Sequence, residues 1–248
     1  MLLTMASAGR GSRLGNMACR RPKTLIEVKG KPILAHIIDR VREQFPLKGV
    51  ITTSRLGTNG AWQFAEFMEK HYAGSGISFA NVAGEPRGVG YAFFLAMGLV
   101  GRTPPQDIIL SVSDVLARDY SVLGRSKFDV LIGAIPFRES RKKQRMMIGR
   151  SPDGNVLFDA SSVVLRRCYA NVGIYCVKRS AFSAFHTTFS DRMLNHSSDL
   201  FLKDAKGEYR MTWIWQELQR QGIKIGIADV KAIAELNHPE DLPDFERI

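Results

Sequence analysis

Two kinds of apolar pattern alternate along the first half of the chain. Continuous runs at residues 2–6, 49–53 and 77–80 have the length and composition of buried strands. After Pro32, and again from Trp62 to Tyr72, apolar residues recur every three or four positions, which predicts amphipathic helices with their aromatic side chains in the core. This β-α-β-α-β order predicts a parallel sheet with helices on both faces.

Shorter elements follow in the second half. The strand at residues 107–113 ends in a carboxylate, Asp114, and further buried strands are predicted at 129–135, 169–177 and 223–228. The turn sequence at 152–155 predicts a hairpin between 146–149 and 156–158. Helices are predicted at about 180–186, 198–205 and 211–221. The fold class is therefore α/β, with a mostly parallel mixed sheet and a small hairpin.

Composition limits the class of protein. With 248 residues, 45% of them hydrophobic and 24% charged, the chain matches one globular domain. Its apolar runs are too short for a membrane span, and its first residues lack the charged start of a secretory signal. The cysteines Cys19, Cys168 and Cys176 have no metal or disulfide spacing. We expect a cytoplasmic protein.

The formal net charge of +11 is concentrated at residues 10–23, 138–150 and 166–167. A nucleic-acid or membrane surface would attract such charge, but no nucleic-acid-binding motif accompanies it. Solvated loops around a site for polyphosphates explain it better. The five histidines have no ligand spacing either, so no His/Cys metal centre is expected.

The segment after the first strand is built to hold phosphate. Residues 7–13, Ser-Ala-Gly-Arg-Gly-Ser-Arg, predict a turn whose backbone N–H groups attract phosphate oxygens, and Lys23 adds a second cation beyond Arg13. Leu14 stands where a dinucleotide fingerprint needs glycine. Pro22 stands where a Walker A loop needs glycine before its lysine, so both motifs are excluded.

The ordered set strand, A-G-x-G-[ST]-R, P-K, apolar strand, G-x-P resembles the nucleotidyltransferases that make NDP-sugars and related metabolites. The matching residues are Ala8, Gly9, Gly11, Ser12, Arg13, Pro22, Lys23, Gly30 and Pro32. The resemblance implies a three-layer, Rossmann-like nucleotidyltransferase fold in one domain over 1–248. The nucleotide would bind to about 1–135 and the acceptor to about 136–235, where the hairpin lies.

Later segments continue the resemblance. Pro86, Gly88 and Ala92 match the family's P-x-G-T-A-x-A loop beside the nucleobase, although Val89 and Gly90 replace Thr-Ala and leave the base open. Ligands bind beyond the carboxyl ends of strands in open α/β sheets, and the family's aspartate at the position of Asp114 binds Mg²⁺.

The acceptor side and the closing segment match in part. Residues 170–175, A-N-V-G-I-Y, resemble the family strand in which Asn171 and Gly173 would hold the acceptor. The usual E-K-P is missing, and the choice among Arg138, Arg166 and Arg167 as its substitute stays open. Residues 235–242 resemble D-x-[ND]-T-P-E-D-L, so Glu235 or Asn237 would be the second metal ligand. Glu240 and Asp241 are interpreted as helix N-terminal charges.

The implied reaction transfers a nucleoside monophosphate from an NTP to a phosphate monoester, most directly a sugar 1-phosphate. The base would lie near Ala6, Ser7, Ala8, Gly9, Pro86 and Gly88, and the phosphates on Gly9, Gly11, Ser12 and Arg13. Arg13 would hold the departing pyrophosphate, Lys23 would bridge the α-phosphate and the acceptor, and Mg²⁺ would be the cofactor.

Three alternatives stay open. They are a CTP-dependent cytidylyltransferase for a non-sugar phosphate such as phosphocholine, a glycosyltransferase, and a non-catalytic nucleotide-binding module. The glycosyltransferase would need a D-x-D pair, whereas Asp114 stands alone in its segment. The expected partners are an NTP and a phosphorylated small molecule, without nucleic acid or membrane, and the oligomeric state, a homo-oligomer included, is open.

Overall fold

The computed structural model describes residues 1–8, 14, 21–85, 87–102, 104, 106–124, 126–137, 147–152, 155–158, 168–195, 211–231, 233–245 and 247. Strands and helices alternate in the first half as the apolar pattern predicts. They are β1 (Leu2–Ala6), β2 (Glu27–Val28), β3 (Lys31–Pro32), α1 (Ile33–Gln44), β4 (Gly49–Arg55), α2 (Gly60–Tyr72), β5 (Ser78–Gly84) and α3 (Val89–Val100).

The second half contains the remaining strands and three more helices. They are β6 (Ile108–Val112), β7 (Val115–Ala117), β8 (Val130–Pro136), β9 (Met147–Arg150), β10 (Val156–Leu157), β11 (Cys168–Val177), α4 (Arg179–Asn195), α5 (Thr212–Arg220), β12 (Ile225–Asp229), β13 (Ile233–Glu235) and α6 (Leu242–Phe245). Short 3₁₀ turns cover Lys23–Leu25, Ser121–Leu123 and Pro239–Asp241.

Nine of the described strands form one mixed sheet. Strands β5, β4, β1 and β6 are parallel neighbours in that order, so their carboxyl ends lie at one edge. The long strand β11 pairs antiparallel with both β6 and β8, and β12 continues parallel to β8. The predicted hairpin is confirmed as β9 and β10, which pair with each other and extend β11 on one side.

Apolar side chains cover both faces of this sheet, which explains the continuous apolar runs of its strands. Leu3 and Ile109 pack in one cluster with buried residues of α1 and α2. Ile108 and Leu110 pack in a second cluster with buried residues of α3, α4 and α5. Because neighbouring residues of a strand point to opposite faces, the result is the predicted helix–sheet–helix arrangement.

Two details differ from the expectations. Helix α4 is longer than predicted, because its apolar contacts continue to Met193. Trp62 was expected in the core with the other aromatic residues of α2, yet its side chain is 71% exposed, whereas Phe64 is fully buried. The helix expected at 198–205 lies outside the described residues. Among those described, no helix combines the length and apolarity needed to cross a bilayer.

Candidate active site

The carboxyl end of β6 lies between the two groups of predicted ligand-binding residues. On one side, Ala6 at the end of β1 pairs with Val112 at the end of β6. On the other side, a Cβ atom built on Gly173 of β11 would lie 2.8 Å from the Val112 methyl carbons. The predicted nucleotide segment and the predicted acceptor strand therefore flank one strand end.

Lys23 and Asp114 are in direct contact at this edge. The Lys23 Nζ atom donates to Asp114 Oδ2 at 2.7 Å, and the side chains are 13% and 23% exposed. Asp114 occupies the turn between β6 and β7, and Lys23 begins the 3₁₀ turn after Pro22. The distance is that of a charge-assisted hydrogen bond. Because both side chains are largely shielded from water, this ion pair is stronger than one on the surface.

A small second sheet brings the closing segment to Asp114. Strand β13 pairs antiparallel with β7 so that Glu235 lies opposite Val115, and the next N–H group, that of Leu236, donates to the Asp114 carbonyl at 2.9 Å. The Asn237 amide donates to Glu235 Oε1 at 2.8 Å. The chain segments with the three predicted metal ligands are thus adjacent, although no sequence pattern predicts β7 itself.

The oxygen donors of Asp114, Glu235 and Asn237 suit Mg²⁺, which takes one or two carboxylates and completes its shell with water and phosphate oxygens. Within the described residues, no cluster of three or more His, Cys, Asp or Glu side chains could hold a metal ion. The oxygen donors of these three residues would fit an ion that is also bound by a triphosphate. In the structure described, the Lys23 ammonium neutralises the Asp114 carboxylate.

Asp241 has the structural role expected from its position. Its Oδ2 atom accepts hydrogen bonds from the backbone N–H groups of Asn237 at 2.7 Å and His238 at 2.8 Å. Glu240 and Asp241 lie in the first turn of the 3₁₀ helix that leads into α6. Asp241 thereby holds the segment that carries Asn237.

Asn171 and Gly173 form an irregular turn within β11. The register to β8 shifts between Asn171 and Ile174, and Gly173 adopts a φ of +78° that favours glycine. The Gly173 N–H donates to Asn171 Oδ1 at 2.8 Å, and Asn171 Nδ2 donates to the Tyr175 hydroxyl at 3.1 Å. Burial raises the pKa of Tyr175, so that hydroxyl stays neutral. These bonds fix the bulge beside the end of β6.

The start of the phosphate-binding segment is anchored by a residue that the sequence did not single out. The N–H groups of Ser7 and Ala8 donate to Thr53 Oγ1 at 2.8 and 3.2 Å. Any direct contact of these two residues with a nucleotide would therefore use other atoms than their N–H groups. The only sequence signal was the run of hydroxyl residues at 52–54, at the end of β4, where they are buried.

The remaining predicted residues divide into two groups. Gly88 precedes α3 with a φ of +96°, at the edge where β5 ends, and its carbonyl accepts the Ala92 N–H at 3.2 Å. The others lie outside the described residues and stay predictions: Gly9, Gly11, Ser12, Arg13, Pro86, and the arginines 138, 166 and 167.

Sequence comparison finds curated relatives that align along the chain. The chain is 24% identical to the bifunctional protein GlmU of Cupriavidus metallidurans, over 100% of the chain and 52% of that protein. It is 26% identical to GlmU of Syntrophomonas wolfei, over 89% of the chain and 46% of that protein. The chain thus spans about half the length of these curated relatives. No family model matches the chain.

Solved structures share the whole fold. The nucleoside-diphosphate-sugar pyrophosphorylase of Vibrio cholerae RC9 superposes with a TM-score of 0.70 at 14% identity, covering 100% of both chains. The inositol-1-phosphate CTP transferase of T. maritima gives 0.69 at 14% identity, over 97% of this chain and 90% of that one. The CTP:phosphocholine cytidylyltransferase of Streptococcus pneumoniae gives 0.63 at 11%, over 99% and 97%.

These structures define the fold as the three-layer α/β fold of nucleotidyltransferases, which confirms the fold expected from the sequence. The chain is thus similar in sequence to GlmU proteins and shares the fold of solved nucleotidyltransferases.

Proposed function

We propose that this protein transfers a nucleoside monophosphate from an NTP to a phosphate monoester, most directly a sugar 1-phosphate, releasing pyrophosphate. The nucleotide binds to the part of the chain up to about residue 135, and the acceptor binds to about 136–235. One observation carries the proposal, the contact of Lys23 with Asp114 at the end of β6. This contact supports the proposal because a cation and a carboxylate meet at the strand end between Ala6 and Gly173.

The chemistry needs no general base. The acceptor phosphate has a second pKa of about 6, so it presents an anionic oxygen at neutral pH. That oxygen forms a bond to the α-phosphorus, and the bond from the α-phosphorus to the bridging oxygen of pyrophosphate breaks. The difficulty is the repulsion between two anions, so the protein must neutralise charge and align the reactants.

The residues divide this work. Lys23 leaves Asp114 and lies between the α-phosphate and the incoming phosphate, while Arg13 binds the departing pyrophosphate. Asn171 and Gly173 hold the acceptor on the opposite side of the β6 end. Asp114, with Glu235 or Asn237, would hold Mg²⁺ when the nucleotide is bound. The ion would supply Lewis-acid charge neutralisation there.

A CTP-dependent transferase for a non-sugar phosphate is the second candidate. Two of the solved structures with this fold are named for CTP-dependent transfer, to inositol 1-phosphate and to phosphocholine. The V. cholerae structure and the GlmU relatives support the sugar acceptor instead. The two candidates share the mechanism and differ only in base and acceptor.

The test crosses four NTPs with a panel of phosphate monoesters that contains hexose 1-phosphates, inositol 1-phosphate and phosphocholine, each with Mg²⁺. Pyrophosphate and the nucleotide product are both measured. We expect one NTP and one acceptor class to give pyrophosphate together with an activated diphosphate product. The Asp114→Asn variant should lose at least about a hundredfold in turnover, the scale of one electrostatic group at a reacting centre.

Lys23→Met is assayed in the same way, and a Lys31→Met variant is its matched control. Lys31 is also paired with an aspartate, Asp39, but on the β3–α1 side of the molecule. Full pyrophosphate release by Asp114→Asn would refute the proposed site. Release of free nucleoside monophosphate would indicate hydrolysis, and nucleotide binding without any magnesium-dependent release would indicate a non-catalytic binding module.

A further inference from the structure

We propose that Thr53 is a positioning residue for the nucleotide, because its side chain fixes the point where the phosphate-binding segment leaves the sheet. This inference rests on the proposed function. It concerns a residue on β4 that lies one strand away from the segment it would hold.

Strand β1 separates from its two neighbours at different points. Its ladder to β4 ends at the pair Met5 and Thr52, whereas its ladder to β6 continues for one more pair, to Ala6 and Val112. Directly after Ala6, the N–H groups of Ser7 and Ala8 donate to a side chain of β4 and not to its backbone. Such buried groups require another partner.

The Thr53 hydroxyl is that partner, and all of its hydrogen-bonding sites are used. Its oxygen accepts from the N–H groups of Ser7 and Ala8, and its proton is directed to the Met5 carbonyl at 3.5 Å. One donor and two acceptor sites are all that a threonine hydroxyl offers. Thr53 is fully buried, and Ser7 and Ala8 are buried as well, so water does not replace these bonds.

The position of these bonds gives them a functional consequence. Ser7 and Ala8 directly precede Gly9, where the glycine-rich segment begins. Glycine residues increase the conformational freedom of a chain. A segment that must present N–H groups to a triphosphate therefore needs a fixed starting point. Thr53 fixes both residues before the first glycine, so the phosphate-binding conformation requires less ordering when the nucleotide binds.

The test compares Thr53→Val, Thr53→Ser and a control, Thr52→Val. Valine has the shape of threonine without its hydroxyl, and serine keeps the hydroxyl. Thr52 is as buried as Thr53 and on the same strand, but its hydroxyl accepts from the Asn81 amide instead of the β1 segment. A purely structural role would make the two valine variants equivalent.

We expect Thr53→Val to lower kcat/KM for the NTP by about tenfold or more, since it leaves two buried N–H groups unpaired. The KM of the acceptor phosphate should stay within about twofold, because Asn171 and Gly173 lie on the other side of β6. Thr53→Ser should restore most of the NTP kcat/KM, and Thr52→Val should leave it unchanged. Equal NTP kcat/KM in Thr53→Val and the wild type would overturn the proposal.

Amide hydrogen exchange of Ser7 and Ala8 provides a readout that is independent of catalysis. In the wild type both amides should exchange as slowly as those of β1, and in Thr53→Val they should exchange faster, whereas Thr52→Val should not change them. Fast exchange in the wild type would overturn the proposal even if Thr53→Val fails to fold. The wild type could also show slow exchange of the Ser7 and Ala8 amides but no nucleotidyl transfer. That result would refute the proposed function and still support the hydrogen bonds to Thr53.

Discussion

Replacing Lys23 and Asp114 separately and together distinguishes a structural ion pair from a catalytic one. The Lys23 Nζ and Asp114 Oδ2 atoms are 2.7 Å apart, and the two side chains are 13% and 23% exposed. Removing one partner of a fully buried pair costs about 3–5 kcal/mol of unfolding free energy, and an exposed pair contributes about 1 kcal/mol or less. For this partly buried pair we expect Lys23→Met and Asp114→Asn each to cost about 1–3 kcal/mol.

The double variant should behave differently in stability and in activity. In stability, it should lose less than the sum of the single variants by about 0.5–3 kcal/mol, because neither charge is left alone. The turnover of the double variant should show no such compensation, because each residue acts on a different part of the reactants. Each single variant should lose at least about a hundredfold in turnover, about 2.7 kcal/mol, and the double variant should recover none of it.

The measurements are urea unfolding and magnesium-dependent pyrophosphate release on the same four proteins. Lys31→Met serves as the control for removing a paired lysine outside the site. Recovery of pyrophosphate release in the double variant would mean that the pair only holds the turns together. Turnover of either single variant within about fivefold of the wild type would equally refute a role for these residues in charge neutralisation.

Three further predictions concern Lys23, Gly173 and Asp119. Lys23→Met should bind Mn²⁺ more tightly than the wild type in the absence of nucleotide, measured by calorimetry, because the ammonium no longer competes for Asp114; equal affinity would contradict that competition. Gly173→Ala should lose about 2 kcal/mol or more in urea unfolding, from its φ of +78° and the 2.8 Å approach to Val112, and Val112→Ala in the same chain should recover only the steric part. Hydrogen bonds from Ser121, with smaller contributions from Lys231, lower the pKa of Asp119, so its stabilisation is present above its unfolded pKa and is lost as pH falls through the folded pKa. Asp119→Asn should therefore be less stable than the wild type at neutral pH and equal to it at low pH, and a constant difference across the pH range would contradict this.

Local sequence patterns predicted most of the elements because a strand or helix depends on residues within a few positions of each other. The strand at 2–6, the helix after Pro32 and the hairpin at 147–157 all have such short-range signals, and the structure contains them. The misassignment of Trp62 has the same origin. Periodicity places an aromatic residue on a helix, but only the packing of α2 against the sheet decides whether that position is covered.

The candidate site was predicted as a set of residues and not as a set of contacts. The order of motifs pointed to Lys23 and Asp114, which are 91 positions apart, but it did not indicate that they form an ion pair. Nor did it indicate the short strand β7 or the role of Thr53. Three residues are too few for a periodic signal, and a buried threonine on a strand resembles any other β-branched core residue.

The sequence by itself determined the class of fold, the order of most of its elements and the residue types that phosphate chemistry needs. Only the tertiary structure decided which of these residues meet, because the order and register of the strands place the ends of β1 and β6 beside the bulge at Gly173 of β11. The same register leaves the N–H groups of Ser7 and Ala8 facing Thr53, which lies 46 and 45 positions further along the chain. Contacts over such distances depend on how the whole sheet assembles, and no short stretch of sequence contains that information.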